Sequence, residues 1–189
     1  MPNWCYGQMR VKGDKQNKEE LLKLFLVEDS NVNKQKKEYI ARTWINCIDG
    51  ETIANELNNE VTIIDFYCAW SVYSCMINGY PNDKECLTLS KITEKLNLDI
   101  QIVSEEQGMC FREFYQFKNG EQLINDSEDF PEDEFDEEEL YKEYLKNWAE
   151  THTEGIPASF EEWQDCEYQE LRDAWYNAVY DKFTAEFAR

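Results

Sequence analysis

The sequence predicts an α+β fold, with an antiparallel sheet that carries helices on one face and an acidic helical hairpin after it. Two observations support this prediction. Through residue 125, short segments with the two-residue alternation of strands are interleaved with segments of helical periodicity. Beyond residue 125 acidic residues dominate, yet aromatic residues recur among them at helical spacing. With 42% hydrophobic and 14% aromatic residues in 189, we expect a folded domain at 1–125 and an appended one at 126–189.

The first predicted strand and helix open the chain. Residues 3–12 are aromatic and partly alternating, as in a strand, and Gly13 interrupts them. Residues 17–28 have the pattern of an amphipathic helix, and Asn17 is its expected N-cap. The apolar stripe of this helix consists of Leu21, Leu22, Leu24 and Phe25.

A second strand and helix and then a hairpin follow. Residues 61–70 are β-branched and aromatic, which is typical of a central strand. Residues 83–97 have helical periodicity, with Asp83 as the expected cap. Residues 98–107 and 110–123 have the pattern of a hairpin. This order of helices and mostly antiparallel strands indicates a ferredoxin-like α+β sandwich.

The acidic third of the chain is expected to fold as two helices. Residues 136–151 carry carboxylates in the first turn and lysines further on, which matches the helix dipole. Ser159 and Glu162 have the spacing of a capping box, and a long helix is expected to follow to about Phe187. Each helix has an apolar stripe, so the two should pair through it and leave the carboxylates on an outer face.

Charge is distributed unevenly along the chain. Residues 1–125 contain 19 acidic and 14 basic side chains, net −5, whereas residues 126–189 contain 21 acidic and five basic ones, net −16. Each pair of like charges three or four residues apart costs a helix about 0.2–0.5 kcal/mol. So many carboxylates on a segment expected to fold indicate a role for the charge, either in solubility or in binding.

Three motifs in the first 125 residues resemble a known family. They are MPNWC at residues 1–5, F-x-x-A-W-S at 66–71 and E-x-x-G-M-C-F at 105–111. In this order they resemble proteins with a YubB-type ferredoxin-like domain, which are small accessory proteins of phages and plasmids. The resemblance implies a ferredoxin-like fold and an origin on a mobile element, and it implies no catalytic residues. Departures from the family pattern occur at Val72, Tyr73 and Arg112.

The motif residues are expected to be structural. Trp4 and Trp70 have the size of core residues. Gly108 is expected to supply a backbone conformation that other residues avoid. The same structural role is expected of Asn3, Cys5 and Phe111.

No catalytic or metal-binding motif is recognisable in the sequence. Its seven cysteines are an odd number, and the tightest pair, Cys68 and Cys75, is wider than the C-x-x-C pairs of zinc sites. We therefore expect reduced, mostly buried structural thiols, with a metal site assembled from distant segments as the alternative. The one histidine, His152, lies in a polar segment, and phosphate-loop and nucleophile motifs are absent. A non-catalytic protein without cofactors is predicted.

The favoured functional hypothesis is that the acidic face mimics a nucleic-acid backbone. A rigid carboxylate array can occupy a Lys/Arg groove built for phosphates, such as the channel of a CRISPR effector or a restriction enzyme. The protein would then be a non-catalytic inhibitor from a phage or plasmid that acts on a basic nucleic-acid-binding protein in the host cytoplasm. The predicted contact residues are Asp133, Glu134, Asp136, Glu137, Glu138, Glu162, Asp165, Glu170 and Asp173.

Other interpretations stay open from the sequence. Acidity alone can serve solubility, and cation binding is a further interpretation, although no D-x-D-x-D-G loop is present. A rival of another class is an accessory protein that binds a protein partner through the aromatic surface of the sheet. Direct nucleic-acid binding is disfavoured, because the negative field outweighs the small basic patch. That patch consists of Lys34, Lys36, Lys37 and Arg42. Neither a signal peptide nor a membrane span is expected, and the oligomeric state stays open.

Overall fold

The computed structural model describes residues 3–46, 56–79, 83–106, 108–129, 137–152 and 154–163, together with residues 170 and 174. The chain divides into two compact units. The first reaches Glu128, and the second begins at Asp129. Among the described residues, no helix is both long and apolar enough to cross a membrane.

The first unit is built on an antiparallel sheet. Its described strands are β1 (Trp4–Lys12), β2 (Thr43–Ile45), β3 (Val61–Ala69), β4 (Asp99–Glu106), β5 (Phe111–Lys118) and β6 (Glu121–Asp129). They lie side by side in the order β2-β3-β1-β4-β5-β6. The four predicted strands are confirmed as β1, β3, β4 and β5, and each begins within one residue of its predicted start. The sequence prediction missed β2, which has three residues, and β6, which runs past residue 125.

Two helices and two short turns connect these strands. They are α1 (Lys15–Leu24), α2 (Ser30–Asn33), a single π-helical turn (Tyr73–Ile77) and α3 (Leu89–Leu96). The predicted caps are both wrong. Asp14 precedes α1, so Asn17 lies inside the helix. Thr88 precedes α3, and Asp83 instead accepts hydrogen bonds from the Glu85 N–H and the Tyr39 hydroxyl.

The connections through β4 follow a β-α-β-β-α-β order. Helix α1 lies between β1 and β2 in sequence, and β3 lies between those two strands in the sheet. Helix α3 likewise lies between β3 and β4 in sequence, with β1 between those strands. Strand β1 therefore pairs antiparallel with β3 on one side and with β4 on the other. The hairpin of β5 and β6 extends the sheet beyond β4.

The core of the first unit lies on the face of the sheet that the helices cover. Alternate residues of β1, namely Cys5, Met9 and Val11, are fully buried in it. Helices α1 and α3 contribute apolar residues to the same cluster. These residues are Leu21, Leu24, Leu89 and Ile92. The apolar residues that the strand and helix periodicities mark therefore pack together in one core.

The turn between β5 and β6 fixes that hairpin against α3. Asn119 and Gly120 both have positive φ, 49° and 83°, as a two-residue hairpin turn with right-handed twist requires. The Gly120 N–H donates to the Thr93 hydroxyl at 3.1 Å, and the Ser90 hydroxyl donates to the Gly120 carbonyl. A side chain at Gly120 would meet the Cβ of Glu94 at 3.0 Å. A glycine is therefore required at this position.

In the second unit the described helices are α4 (Glu137–Thr151) and α5 (Phe160–Trp163). Helix α4 begins within one residue of its predicted start. The predicted capping box is present, because the Ser159 hydroxyl accepts from the Glu162 N–H at 3.3 Å and the Glu162 carboxylate accepts from the Ser159 N–H at 3.0 Å. Most of the predicted long helix after Ser159 lies outside the described residues, and so does its predicted pairing with α4 in an acidic hairpin.

Candidate binding sites

Four aromatic side chains form a ledge on the face of the sheet opposite the helices. Trp4 and Tyr6 come from β1, Trp44 from β2 and Tyr67 from β3, and the register places Tyr67 opposite both Tyr6 and Trp44. Trp44 and Tyr67 are stacked, with centroids 5.6 Å apart and planes 13° apart. Trp4 meets both rings edge-on, at 5.7 and 5.4 Å. We call these four residues the aromatic ledge.

The ledge corrects the prediction for the motif tryptophans. Trp4 is 39% exposed and Trp70 is 47% exposed, so neither is a core residue. The physical reason is the strand alternation: Cys5 faces the core, so Trp4 and Tyr6 face outward. Trp70 follows the end of β3 with φ of 78°, and its N–H donates to the Asn3 carbonyl at 2.9 Å.

The prediction for Gly108 is also wrong, since its backbone lies outside the left-handed region. Cys110, two residues later, has the positive φ, at 55°. A side chain at Gly108 would approach the Glu106 carboxylate to 3.0 Å. That buried carboxylate accepts the N–H groups of Gly108 and Met109. Close approach, rather than backbone conformation, therefore accounts for the glycine.

A groove of about 350 Å³ lies beside the ledge. Its walls are apolar side chains from the end of α1 and the segment after it, together with rings of the ledge. They include Leu22, Phe25, Leu26, Val27, Trp44 and Tyr67. Among the described residues that line it, Glu28 is the one charged side chain. Burial, with the Glu28 charge as a lesser cause, raises the pKa of Tyr67.

A buried carboxylate, Glu113, lies inside the first unit. Its oxygens accept from the N–H groups of Val72 and Tyr73 at 2.8 and 3.1 Å, and from the hydroxyls of Ser104 and Tyr115 at 3.2 and 3.0 Å. It therefore joins β4 and β5 to the start of the π-helical turn. Burial, followed by the nearby Glu113 charge, raises the pKa of Tyr115. The sequence signal that could have found this site was a glutamate at a core-facing strand position.

Three of the cysteines come together beside this carboxylate. Cys5 and Cys68 are opposite each other across β1 and β3, and both are fully buried, as is Cys75. Hydrogen bonds with Cys5 and Cys75 raise the pKa of Cys68. The Cys75 thiol donates to the Ala69 carbonyl at 2.9 Å. Among the described residues, no group of His, Cys, Asp and Glu is placed to hold a metal ion.

The predicted acidic contact residues fall into three groups. Glu138, Glu162 and Glu170 are described and exposed. Glu137 begins α4, and its backbone alone is described. The remaining predicted residues, Asp133, Glu134, Asp136, Asp165 and Asp173, lie outside the described residues.

Helix α4 is tied to the segment before α5 by its tyrosines. The Tyr141 hydroxyl donates to the Ala158 carbonyl at 2.8 Å, and the Ala158 N–H donates to the Tyr144 hydroxyl at 3.1 Å. Both tyrosine rings also contact Trp163, with centroids 5.4 and 6.4 Å away. The indole of Trp163 is buried. The exposed acids of α4 are thus held on an anchored helix.

A second groove, of about 390 Å³, lies within this unit. Its lining combines aromatic side chains with carboxylates from two helical segments. The lining includes Leu140, Glu143, Tyr144, Asn147, Trp163 and Glu170. Glu143 was not among the predicted contact residues, yet the structure brings it to the same groove as the predicted Glu170.

Further acidic residues that sequence reasoning did not select lie on β6, where Glu121, Asp126 and Asp129 are exposed. Glu128, also on β6, instead binds Arg112, whose Nε donates to it at 2.8 Å. The alternation of this strand is weak because nearly all its side chains are solvated, which is why periodicity did not reveal it.

The four residues of the basic patch lie in the segment between α2 and β2. Lys34 follows the end of α2, and Lys36 donates from its ammonium to the Lys23 carbonyl. Burial lowers the pKa of Lys36. Arg42 lies in a turn with φ of 46°. The four bases therefore lie on a loop that wraps past α1, and Lys36 has a structural role there.

Comparison of the chain with protein-family models, with curated proteins and with solved structures finds no match.

Proposed function

We propose that the protein is a non-catalytic binding protein whose acidic second unit occupies the nucleic-acid groove of a basic host protein. The observation that carries this proposal is the display of carboxylates on α4. Five of its 15 residues are glutamates, and the structure places the side chains of four of them in solvent. They are Glu138, Glu139, Glu143 and Glu150. The proposed target class is a defence enzyme such as a CRISPR effector or a restriction enzyme.

The charge density of α4 can be compared with that of nucleic acid. A helix of 15 residues is about 22 Å long, so its five glutamates give about one carboxylate per 4–5 Å. A single DNA strand carries one phosphate per about 3.4 Å, and the duplex one charge per about 1.7 Å. Helix α4 therefore matches one strand more closely than a duplex, which favours a channel that holds a single strand.

Rigidity supports the same proposal. Flexible carboxylates lose conformational entropy when they are fixed in a groove, whereas acids on an anchored helix are already positioned. The hydrogen bonds of Tyr141 and Tyr144 to Ala158 anchor α4, and the capping box positions Glu162.

Two features of the first unit belong to this proposal. The β-α-β-β-α-β order through β4 supports a ferredoxin-like assignment, with β5 and β6 as an added hairpin. The three motifs in the first 125 residues support an origin among phage or plasmid accessory proteins. Both suit a small protein that counters a host defence enzyme.

The test is inhibition of nucleic-acid cleavage by a panel of purified restriction endonucleases and RNA-guided nucleases. For an inhibited enzyme, we expect half-inhibition to need at least tenfold more of the Glu143→Lys, Glu170→Lys double variant. Like charges placed against a basic groove are repelled. The matched control is Asp14→Lys with Glu19→Lys, an equal charge change on the first unit, which should shift inhibition less than twofold.

Two outcomes would overturn the proposal. If both double variants lose the same potency, the effect is bulk electrostatics. If no enzyme of the panel is inhibited at any ionic strength, the second unit does not act as a nucleic-acid mimic. Inhibition through this unit should also weaken steeply between 50 and 300 mM salt, since the charges at such an interface are screened.

A second candidate function is favoured by a separate observation, the aromatic ledge, in which Trp4 and Tyr6 are exposed and Trp44 and Tyr67 are half-buried. We propose, as this alternative, that the sheet face binds a protein partner. Aromatic residues are enriched at such interfaces because their burial contributes large area at small entropic cost.

A further inference from the structure

The aromatic ledge and the groove beside it have the composition of a site for a cationic side chain. The stacked Trp44 and Tyr67 rings line the groove, and Trp4 and Tyr6 extend the ring surface along β1. Aromatic faces attract cations placed over them, and tryptophan does so most strongly. The exposed fractions of Trp4 and Tyr6, 39% and 48%, leave these rings accessible from solvent.

The groove itself suits an apolar stem that ends in a charge. Leu22, Phe25 and Val27 supply apolar walls, and Glu28 supplies a carboxylate at the same groove. Arginine and lysine bury their methylene stems along apolar surface while their charged heads stay at its edge. A volume of about 350 Å³ is at the low end of ligand pockets, so it is sized for one or two side chains rather than for a large ligand.

The acidic side chains beside the ledge and in the groove favour a cation over a phosphate. Asp65 lies on the same outward face and accepts from the Gln8 amide at 3.2 Å. Arg10, two positions along β1, is only 6% exposed, and its guanidinium donates to the side chains of Gln8 and Gln101. Exposed aromatic rings can also stack nucleic-acid bases. The net charge of −21 and Glu28 in the groove disfavour the phosphates that such bases bring.

We infer that the groove beside the aromatic ledge binds an arginine-bearing segment of a protein partner, with the guanidinium over the rings and near Glu28. Arginine is favoured over lysine because its planar head stacks on aromatic faces and pairs with carboxylates in a bidentate way. This inference rests on the second candidate function and is independent of the carboxylates of the second unit.

The test is an NMR titration of the full chain, labelled with ¹⁵N, with a short arginine-glycine peptide and its lysine-glycine counterpart. The readout is local: the indole N–H signals of Trp4 and Trp44, assigned by single substitution. We expect saturable shifts of these signals with the arginine peptide and at least fivefold weaker binding of the lysine peptide. General attraction to the acidic chain would leave the indole signals in place.

Matched variants locate the site. Glu28→Gln should weaken binding of the arginine peptide at least threefold, and Tyr6→Ser should weaken it at least fivefold. Tyr73→Ser removes an aromatic residue of similar exposure, outside the ledge, and should change binding less than twofold. The Glu143→Lys, Glu170→Lys variant should leave the indole shifts unchanged, so failure here and failure of the acidic mimicry are distinguishable.

Each remaining outcome overturns the inference. Equal binding of the two peptides would mean simple charge attraction, and absence of indole shifts would mean that the ledge takes no cation. Indole shifts with oligouridine but not with peptide would assign the face to RNA. Indole shifts that depend on protein concentration alone would assign it to a second copy of the chain.

Discussion

The two units of this protein use their carboxylates in different ways. In the first unit many acids have defined structural partners. Glu113 accepts hydrogen bonds from two backbone N–H groups, two hydroxyls and the Cys5 thiol, and Asp99 binds Lys118 at 2.8 Å. In the second unit the described glutamate side chains of α4 are exposed, and Glu138 lies 4.0 Å from Lys142. Other acids of the first unit also form ion pairs within it: Glu20 with Lys23, Glu38 with Lys95 and Glu128 with Arg112.

This difference separates charge that builds the fold from charge that is displayed. A buried carboxylate is tolerated only when donors surround it, because an unpaired one is costly to desolvate. A surface carboxylate needs no partner, but it repels its neighbours and so stabilises little. Acidic residues of the second unit are therefore the better candidates for binding, and those buried in the first unit are candidates for stability.

The largest expected effect tests the core of the first unit. Phe66 on β3 is fully buried and lies against Gly7 of β1. Phe66→Ala should lower the free energy of unfolding by about 3–5 kcal/mol, because the cavity it leaves cannot close completely. Urea denaturation, detected by near-ultraviolet circular dichroism, measures this free energy of unfolding. Tyr73→Ala, at an exposed position, is the control and should stay within about 0.5 kcal/mol. A loss below about 1 kcal/mol at Phe66 would contradict this core.

The next effect tests whether Glu113 is structural. Glu113→Gln keeps one acceptor oxygen and replaces the other with an amide donor that faces other donors. We expect a loss of about 2–3 kcal/mol in the free energy of unfolding, since buried hydrogen-bond donors are left without an acceptor. The same denaturation experiment measures it. Glu121→Gln, on the exposed strand β6, makes the same chemical change and should have almost no effect. Equal effects at the two positions would end the distinction between buried and displayed carboxylates.

The smallest effect tests the second unit. Ser159→Ala removes the hydroxyl of the capping box and should destabilise the start of α5 by about 1 kcal/mol, as seen by local amide exchange. The hydrogen bonds from Ser159 lower the pKa of Glu162. Their stabilising contribution is present above the usual glutamate pKa of about 4.3 and is lost as pH falls through the lower folded-state pKa.

An NMR titration of the Glu162 side chain checks this directly. In Ser159→Ala its pKa should move only part of the way back up, because the backbone N–H of residue 159, the larger cause, still donates to the carboxylate. Glu161→Gln changes an adjacent exposed acid outside the box and should leave the pKa of Glu162 lowered. If Ser159→Ala left that pKa where it is, the Ser159 hydroxyl would not contribute to it.

The N-terminal strand shows what sequence periodicity can predict and what it cannot. The alternation in residues 3–12 placed the strand correctly, because side chains of a strand point to opposite faces. Which face Trp4 occupies was predicted wrongly, since a large aromatic residue suits either the core or an exposed binding surface. The buried Cys5 decides it, because each of its neighbours must point the other way.

Short and solvated strands escaped prediction. Strand β2 has three residues, fewer than a pattern needs, and exists through its pairing with β3. Strand β6 is almost wholly exposed, so no alternation of apolar residues marks it. Both are held in the sheet by backbone hydrogen bonds to a neighbouring strand, and backbone hydrogen bonding carries no residue signature.

The sequence by itself determined the main strands, the α+β class, the capping box of Ser159 and Glu162, and the separation of charge along the chain. Each depends on residues close together in sequence, where spacing and side-chain type are enough. Only the tertiary structure decided that Trp4, Trp44 and Tyr67 form one ledge and that Glu113 is enclosed by donors. These sites join segments tens of residues apart, and their geometry comes from strand register and packing.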